Sequence, residues 1–283
     1  MMTSRIEDLG MEILVTRYGI ARVEGDEIAV VDLPHPDLSA LLADGGSLAD
    51  VERAPVLRRL SLAELDSVAI APLALRTTSV WGVGLNYHAK AATTGRPVPT
   101  SPILFLKAAT ALTSHRAVIK VDAEVTAELD YEAEVGIVIG RVLSGAEPGQ
   151  VWDHVAGVIA ANDVTARDVM TATGAPVLAK SFPGSAPLGA TVLPWTELAD
   201  RNAIPVRSWV DGELRQEGRT DDLIFDVPDL LARLSRYVRL DPGDVVLTGT
   251  PPGTGQDRSE FLRPGQRVTV AVGDLVPLVN DFA

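Results

Sequence analysis

The sequence predicts an α+β fold in which strands dominate. Three observations carry that prediction. Short apolar runs of strand type recur along most of the chain, glycine and proline turns separate them, and the few helical stretches do not alternate with strands in βαβ units. The missing alternation argues against a doubly wound parallel sheet.

Taken in order, Glu12–Thr16, Ile20–Val23 and Glu27–Val31 read as a small meander of strands joined by polar or glycine turns. Residues 36–70 read as largely helical, because Leu38, Leu41, Leu42 and Leu48 recur at roughly helical spacing among Ala, Glu and Arg. Pro55 breaks that stretch in two and Pro72 closes it. The boundary near residues 72–78 divides a small N-terminal domain, 1–75, from a larger one, 76–283. In the larger one, Val80–Val83, Ile103–Leu106, Glu134–Ile139, Val155–Ala160, Val206–Val210, Val245–Leu247 and Val268–Val272 are predicted strands. Helices are expected near Ala89–Ala92, Ala166–Thr171 and Pro228–Ser235. Asp211-Gly212 reads as a type I′ hairpin turn.

Composition narrows the function classes. With 46% hydrophobic and 22% charged residues over 283 positions, the chain can bury a sizeable core. A net charge of −13 repels a polyphosphate backbone, which argues against nucleic acid as partner, and attracts divalent cations. The absence of cysteine excludes disulfides, zinc–thiolate sites, iron–sulfur clusters and a cysteine nucleophile. The acidic N-terminal stretch does not read as a signal peptide, and no apolar run approaches the ~18 residues of a membrane span. No membrane partner is expected, and the expected location is cytoplasmic.

The chemistry concentrates in a few segments. In Asp130-Tyr131-Glu132-Ala133-Glu134-Val135-Gly136, residues two apart share one face of a strand, so Glu132 and Glu134 point the same way. The apolar run that follows implies a strand that goes inside. Two carboxylates converging near a core must be protonated, cation-paired or metal-bound. The local sequence equally admits a strand end whose glutamates face water. Asp163, in Asn162-Asp163-Val164-Thr165-Ala166-Arg167-Asp168-Val169-Met170, can be a helix cap, an i,i+4 partner of Arg167, or a third carboxylate at a metal. Three oxygen ligands with open positions suit a hard cation such as Mg²⁺ or Mn²⁺. The glycine-rich stretch Gly249–Gly255 is not a phosphate loop: it lacks the Gly-Lys-Ser/Thr ending, and its prolines remove backbone donors.

Together and in this order, these segments resemble the fumarylacetoacetate hydrolase family. The resemblance covers about residues 80–283: Gly82-Val83-Gly84-Leu85-Asn86-Tyr87, Pro102–Lys107, Asp130–Gly140, Asn162–Asp168, Lys180–Phe182, Gln216 and Leu240–Gly255. Residues 12–32 also resemble the small N-terminal domain of bacterial members. The resemblance implies a mixed β-roll core, a homodimer, and Mg²⁺, Mn²⁺ or Ca²⁺ held by Glu132, Glu134 and Asp163. It implies Arg167 and Lys180 as the positive groups that stabilise an enolate-like anion, and Tyr87 and Thr250 beside a small 2-oxo acid.

Two departures from the family pattern stand out. Hydrolytic members carry Asn-Tyr-x-x-His-x-x-Glu in a lid, whose His–Glu pair activates water. Here the stretch is Asn86-Tyr87-His88-Ala89-Lys90-Ala91-Ala92-Thr93, which puts Lys90 at the histidine position and Thr93 at the glutamate position. His88 stands two residues early, a rotation of ~200° on a helix, and reaches the site only if the lid is not helical. Lys90, desolvated beside Arg167 and Lys180, is the alternative base. The second departure is Met170, where the family often has a hydrogen-bonding glutamine; it implies a more apolar substrate or a shifted pose.

The family pattern ranks a metal-dependent hydrolase first, cleaving a C–C bond in an acylpyruvate-type acid. A lyase or isomerase of the same fold, acting by decarboxylation, tautomerisation or dehydration, stands second because the lid dyad is absent. A ligand-binding protein without activity stands third, against the retention of Glu132, Glu134, Asp163, Arg167 and Lys180.

Overall fold

The computed structural model describes residues 11–73, 78–120 and 122–283. Two β-sheets organise it. The larger has twelve strands among the described residues. Its main path runs Val56–Ser61, Glu27–Val31, Gly19–Glu24, Ile13–Thr16, Ala186–Pro194, Val155–Asn162, Ala133–Ile139, Val245–Leu247, Val80–Gly84 and Ile103–Lys107. The smaller sheet orders Glu213–Arg219, Pro205–Val210, Arg267–Val272, Leu278–Phe282 and Val118–Ile119. No helix among the described residues is long and apolar enough to cross a membrane.

The strand Ala133–Ile139 is buried along its whole length. Val135, Ile137 and Ile139 join Val206, Val268 and Val270 of the smaller sheet in one core. Val138, on the opposite face, packs with Ile159, Val245 and the short helices at Leu38–Ala43 and Leu48–Arg53. Alternation of this kind, apolar on both faces, marks an interior strand. Close approach is secured by Gly82, where a Cβ would lie 2.3 Å from the Phe105 ring. That glycine leaves room for the tip of the Phe105 ring against the neighbouring strand.

The predicted α+β, strand-rich class is what the chain adopts, with strands at Val80–Gly84, Ile103–Lys107, Pro205–Val210 and Arg267–Val272. At the predicted hairpin, Asp211 and Gly212 have φ of 51° and 83°, as a type I′ turn demands. Two elements within residues 36–70 differ: Ala69–Ile70 is a short strand paired with Ile13–Thr16, and the larger difference is Val56–Ser61. Val56–Ser61, expected to be helical, is a strand paired with Glu27–Val31. Pro55 ends the preceding helix, and the sheet edge then satisfies the backbone of the next six residues. Arg59 reaches Glu24 and Glu27 at 2.7 Å each, charges that suit an exposed edge. The sheet continues across the expected domain boundary, since Ile13 pairs with Val192. Residues 74–77 of that boundary lie outside the described residues.

Glu12 ties the N-terminal strand to the rest. Its Oε2 accepts from the Thr191 hydroxyl and from the Val276 amide (2.9 Å), while Oε1 is buried with no hydrogen-bond partner among the described residues. Burial raises this carboxyl to about 7. The folded chain therefore holds a proton there that the unfolded chain releases near pH 4.5, and this contribution to stability is lost as pH rises from 4.5 to 7. Glu12→Gln is expected to match the parent near pH 4 and to exceed it by about 2–3 kcal/mol at pH 8 in urea unfolding.

Candidate active site

The site begins with strand register. Ala133–Ile139 runs antiparallel to Val155–Asn162 with Ala133 opposite Asn162. The pairing extends one residue further: the Asp163 amide donates to the Glu132 carbonyl at 2.9 Å, and the Glu132 amide donates to Asn162 Oδ1 at 3.0 Å. Glu132 and Asp163 are thereby set across from each other, and Glu134 follows two residues on along the same face. One oxygen from each of the three buried carboxylates lies within 4.8 Å of the others. Asp163 is neither a helix cap nor a partner of Arg167. The bridge strand Thr165–Ala166 separates it from the helix Arg167–Thr173.

Counter-charges surround the carboxylates unevenly. Lys180 Nζ donates to Glu132 Oε2 (2.6 Å), Asp163 Oδ2 (2.6 Å) and the Thr165 hydroxyl (2.7 Å). These use all three of its hydrogens. Arg167 donates from Nε to Asp130 Oδ2 at 2.7 Å and from Nη2 to Glu132 Oε1 at 2.5 Å. Lys107, fully buried, donates to Asp163 Oδ1 from behind. Glu134 forms no ion pair among the described residues. Its Oε2 accepts the Gly249 amide at 2.6 Å. That approach needs glycine, because Gly249 has φ of 96° and a Cβ there would lie 2.8 Å from the Asn86 Cβ.

Titration follows this asymmetry. Burial opposes the charge on Glu132, but Lys180 and then Arg167 outweigh it and hold the carboxyl well below its ordinary range. Burial raises Glu134 well above its ordinary value, and the charges of Asp163 and Glu132 raise it further. Four carboxylates (Asp130, Glu132, Glu134, Asp163) thus face three cations (Lys107, Arg167, Lys180), and the uncompensated one is Glu134. With Glu134 ionised these groups carry a net −1, which a divalent ion among the three oxygen donors would turn into +1. The donor set fits a hard cation.

Glu132, Glu134, Arg167 and Lys180 floor a cavity of about 480 Å³, which Asp163, Asp130 and Lys107 do not line. Glu132, Glu134, Arg167, Lys180 and Thr250 line it, as do Met170, Ile103, Phe105 and Pro176 on an apolar side and Lys90, Thr94, Arg96 and Gln256 on the lid side. The lid is helical, His88–Thr94. Lys90 faces in and is buried, whereas His88 is exposed and does not line the cavity, as the rotation between the two positions requires. Tyr87 does not line it either. Its ring is buried, and its hydroxyl has no hydrogen-bond partner among the described residues. The Thr250 hydroxyl donates to the Ala133 carbonyl at 2.9 Å and accepts from Gln216 Nε2 at 2.7 Å, so its hydrogen fixes the turn. Another cavity, of about 570 Å³ beside Leu129, Tyr131 and Phe282, contains none of the three carboxylates.

Sequence reasoning left three groups without a role. Lys107 shares a strand face with Phe105, two residues earlier, and that spacing marks it as inward. Asp130 accepts from Arg167 and from the amides of Gly255 (2.6 Å) and Gln256 (3.0 Å). Asp257 pairs with Lys90 at 2.6 Å. Nothing local in the sequence announces the last two contacts.

A fold with this carboxylate, lysine and arginine arrangement at its sheet end defines a class of enzyme. The sequence profile described as "Fumarylacetoacetate (FAA) hydrolase C-terminal" matches residues 79–283. The chain is 32% identical over 216 residues to oxaloacetate tautomerase YisK of Bacillus subtilis (strain 168), covering 75% of this chain and 72% of that protein. It is 32% identical over 247 residues to a mitochondrial oxaloacetate tautomerase of Homo sapiens, covering 86% and 78%. Among solved structures, fumarylacetoacetate hydrolase from psychrophilic Exiguobacterium antarcticum superposes with a TM-score of 0.83 at 29% identity, covering 96% of this chain and 99% of that one. The chain belongs to the fumarylacetoacetate hydrolase family.

Glu134→Gln separates the site's two demands. The variant is expected to lose Mn²⁺ binding in isothermal titration calorimetry. Without metal it is expected to melt at a higher temperature than the metal-free parent at pH 8, because a neutral amide replaces a carboxyl that burial and like charges disfavour.

Proposed function

We propose that this protein catalyses keto–enol tautomerisation of a small 2-oxo dicarboxylic acid of the oxaloacetate type, with Mg²⁺ or a similar divalent ion at Glu132, Glu134 and Asp163. The observation that carries this reading is the identity of the inward lid residue. A hydrolase needs a base that activates water. Here the lid presents Lys90 to the cavity; Thr93 is exposed, with its hydroxyl on the Ala89 carbonyl at 2.9 Å, and His88 faces away. The names of the two relatives above support the same reaction class.

The bound cation would supply Lewis-acid polarisation of the 2-oxo oxygen. Arg167 Nη1, which has no protein partner among the described residues, is the donor left for the oxygen that gathers enolate charge. Lys180 acts by charge and by holding Glu132 and Asp163 in place, since its hydrogens are committed. In the ketonising direction the enol hydroxyl loses its proton to solvent, and the Lys90 ammonium gives a proton to carbon 3. The C2–C3 double bond becomes single as the 2-oxo group re-forms. Solvent then returns a proton to the Lys90 amine. Arg96, which forms no ion pair among the described residues, lines the cavity and would hold the second carboxylate.

The test follows the enol absorbance of oxaloacetate with Mg²⁺, with products identified by NMR. Metal-dependent acceleration of enol–keto exchange without loss of oxo acid is expected. Metal-dependent cleavage of an acylpyruvate to pyruvate and a second acid, without that exchange, would replace this reading with hydrolysis. Lys90→Arg keeps the charge but not a transferable proton, so kcat is expected to fall by about 100-fold or more with KM little changed. Arg96→Ala is expected to raise KM for the diacid by about tenfold, and to leave KM for a mono-acid of similar length unmoved.

A further inference from the structure

The lid lysine is tied to a distant turn. Lys90 Nζ donates to Asp257 Oδ2 at 2.6 Å and to the Thr254 hydroxyl at 2.8 Å, contacts 167 and 164 positions along the chain. Both side chains of the ion pair are almost wholly buried, at 9% and 5% exposure. Asp257 Oδ2 also accepts the amides of Gly253 (2.7 Å) and Thr254 (3.1 Å), which fixes the carboxylate in one place. Below the turn, Asp130 takes the next two amides, Gly255 and Gln256, and with its other contact holds Arg167. The lysine of the lid and the arginine of the floor are therefore referenced to the same few residues of backbone. Two of the three Lys90 hydrogens are spent on the turn, and one remains for the cavity that Lys90 lines.

We propose that Asp257 is the positioning residue for Lys90, anchoring the lid to the Gly253–Asp257 turn so that one ammonium hydrogen is held at a fixed point of the cavity wall. This rests on the reading of Lys90 as the proton carrier. The charged groups facing Lys90 are Asp257, Glu132 and Arg167, with Arg96 on the same wall. Burial lowers the Lys90 ammonium from its ordinary value, Asp257 and Glu132 oppose that, and Arg167 adds to it. Removing the Asp257 charge therefore lowers it further. The bland alternative is a cap for the four-residue helix Gly255–Arg258 and nothing more.

Asp257→Asn in the Mg²⁺-loaded 283-residue chain separates the two, because an amide oxygen can still cap the turn. In enol ketonisation the alkaline limb of kcat against pH is expected to move down by about one pH unit or more, with KM little changed. Asp257→Glu keeps the charge, and its limb is expected to stay near the parent's while kcat falls. The ¹³Cε shift of Lys90, assigned by its loss in Lys90→Arg, is read against pH in parent and Asp257→Asn; a lower midpoint in the variant is expected. Equal midpoints, or a variant that only melts earlier while its limb stays in place, would overturn the proposal. If no oxo acid is turned over, the tautomerase reading fails, and the ¹³Cε midpoints still decide whether Asp257 governs Lys90.

Discussion

The structure depends on one buried arrangement: Glu132 and Asp163 set across a strand pair, with Lys180 bridging them at 2.6 Å to each. Withdrawing these charges from water costs several kcal/mol per ion unless the geometry returns it. Much of the surrounding chain is explained by that requirement. Asn162 bonds the Glu132 amide, Gln216 Oε1 bonds the Ala133 amide at 2.9 Å, and Lys107 closes Asp163 from the side away from the cavity. The strand register is then over-determined, since a slip of one residue would turn Glu132 and Glu134 into the apolar core of Val135 and Ile137. Glu134 is the one carboxylate of the group left without a cation among the described residues, and it is the one a bound metal ion would compensate.

Much of this was legible in the sequence. Period-two spacing put Glu132 and Glu134 on one face, and the 3.6-residue turn put Lys90 and His88 on different sides of the lid helix. Both are rules of local geometry, so they survive without knowledge of the partner segments. The strand Val56–Ser61 was not legible, because its residues are compatible with a helix and only the free edge of Glu27–Val31 decides between the two. The roles of Asp130 and Asp257 were hidden for a related reason. Thr254 and Asp257 read as a local helix cap, and they are one; the second use of the same carboxylate appears only when a helix from the other end of the fold docks on it. Lys180 and Thr250 show the reverse case. Both sit at the site, yet their hydrogens are committed to protein acceptors, which a sequence motif does not reveal.

The lid chemistry follows from what a Lys–Asp pair can do that a His–Glu pair does not need to do. Activating water calls for an unprotonated base whose pKa lies near the working pH. A carboxylate held against a lysine favours its ammonium form, and that form gives up a proton rather than taking one. Burial brings its ordinary value of 10.5 down, which makes that donation easier, while Asp257 keeps the charged form populated. The pair is also neutral as a unit, so it leaves the electrostatic balance of the floor untouched. With a divalent ion bound, the floor would carry a net positive charge that attracts the 2-oxo acid end of the proposed substrate, while Arg96 on the lid side would take its second carboxylate. In the proposed reaction Lys90 of the lid has to place a hydrogen over the carbon. A fixed hydrogen on a wall whose counter-ion is itself pinned by two amides answers that task with little reorganisation at the moment of transfer.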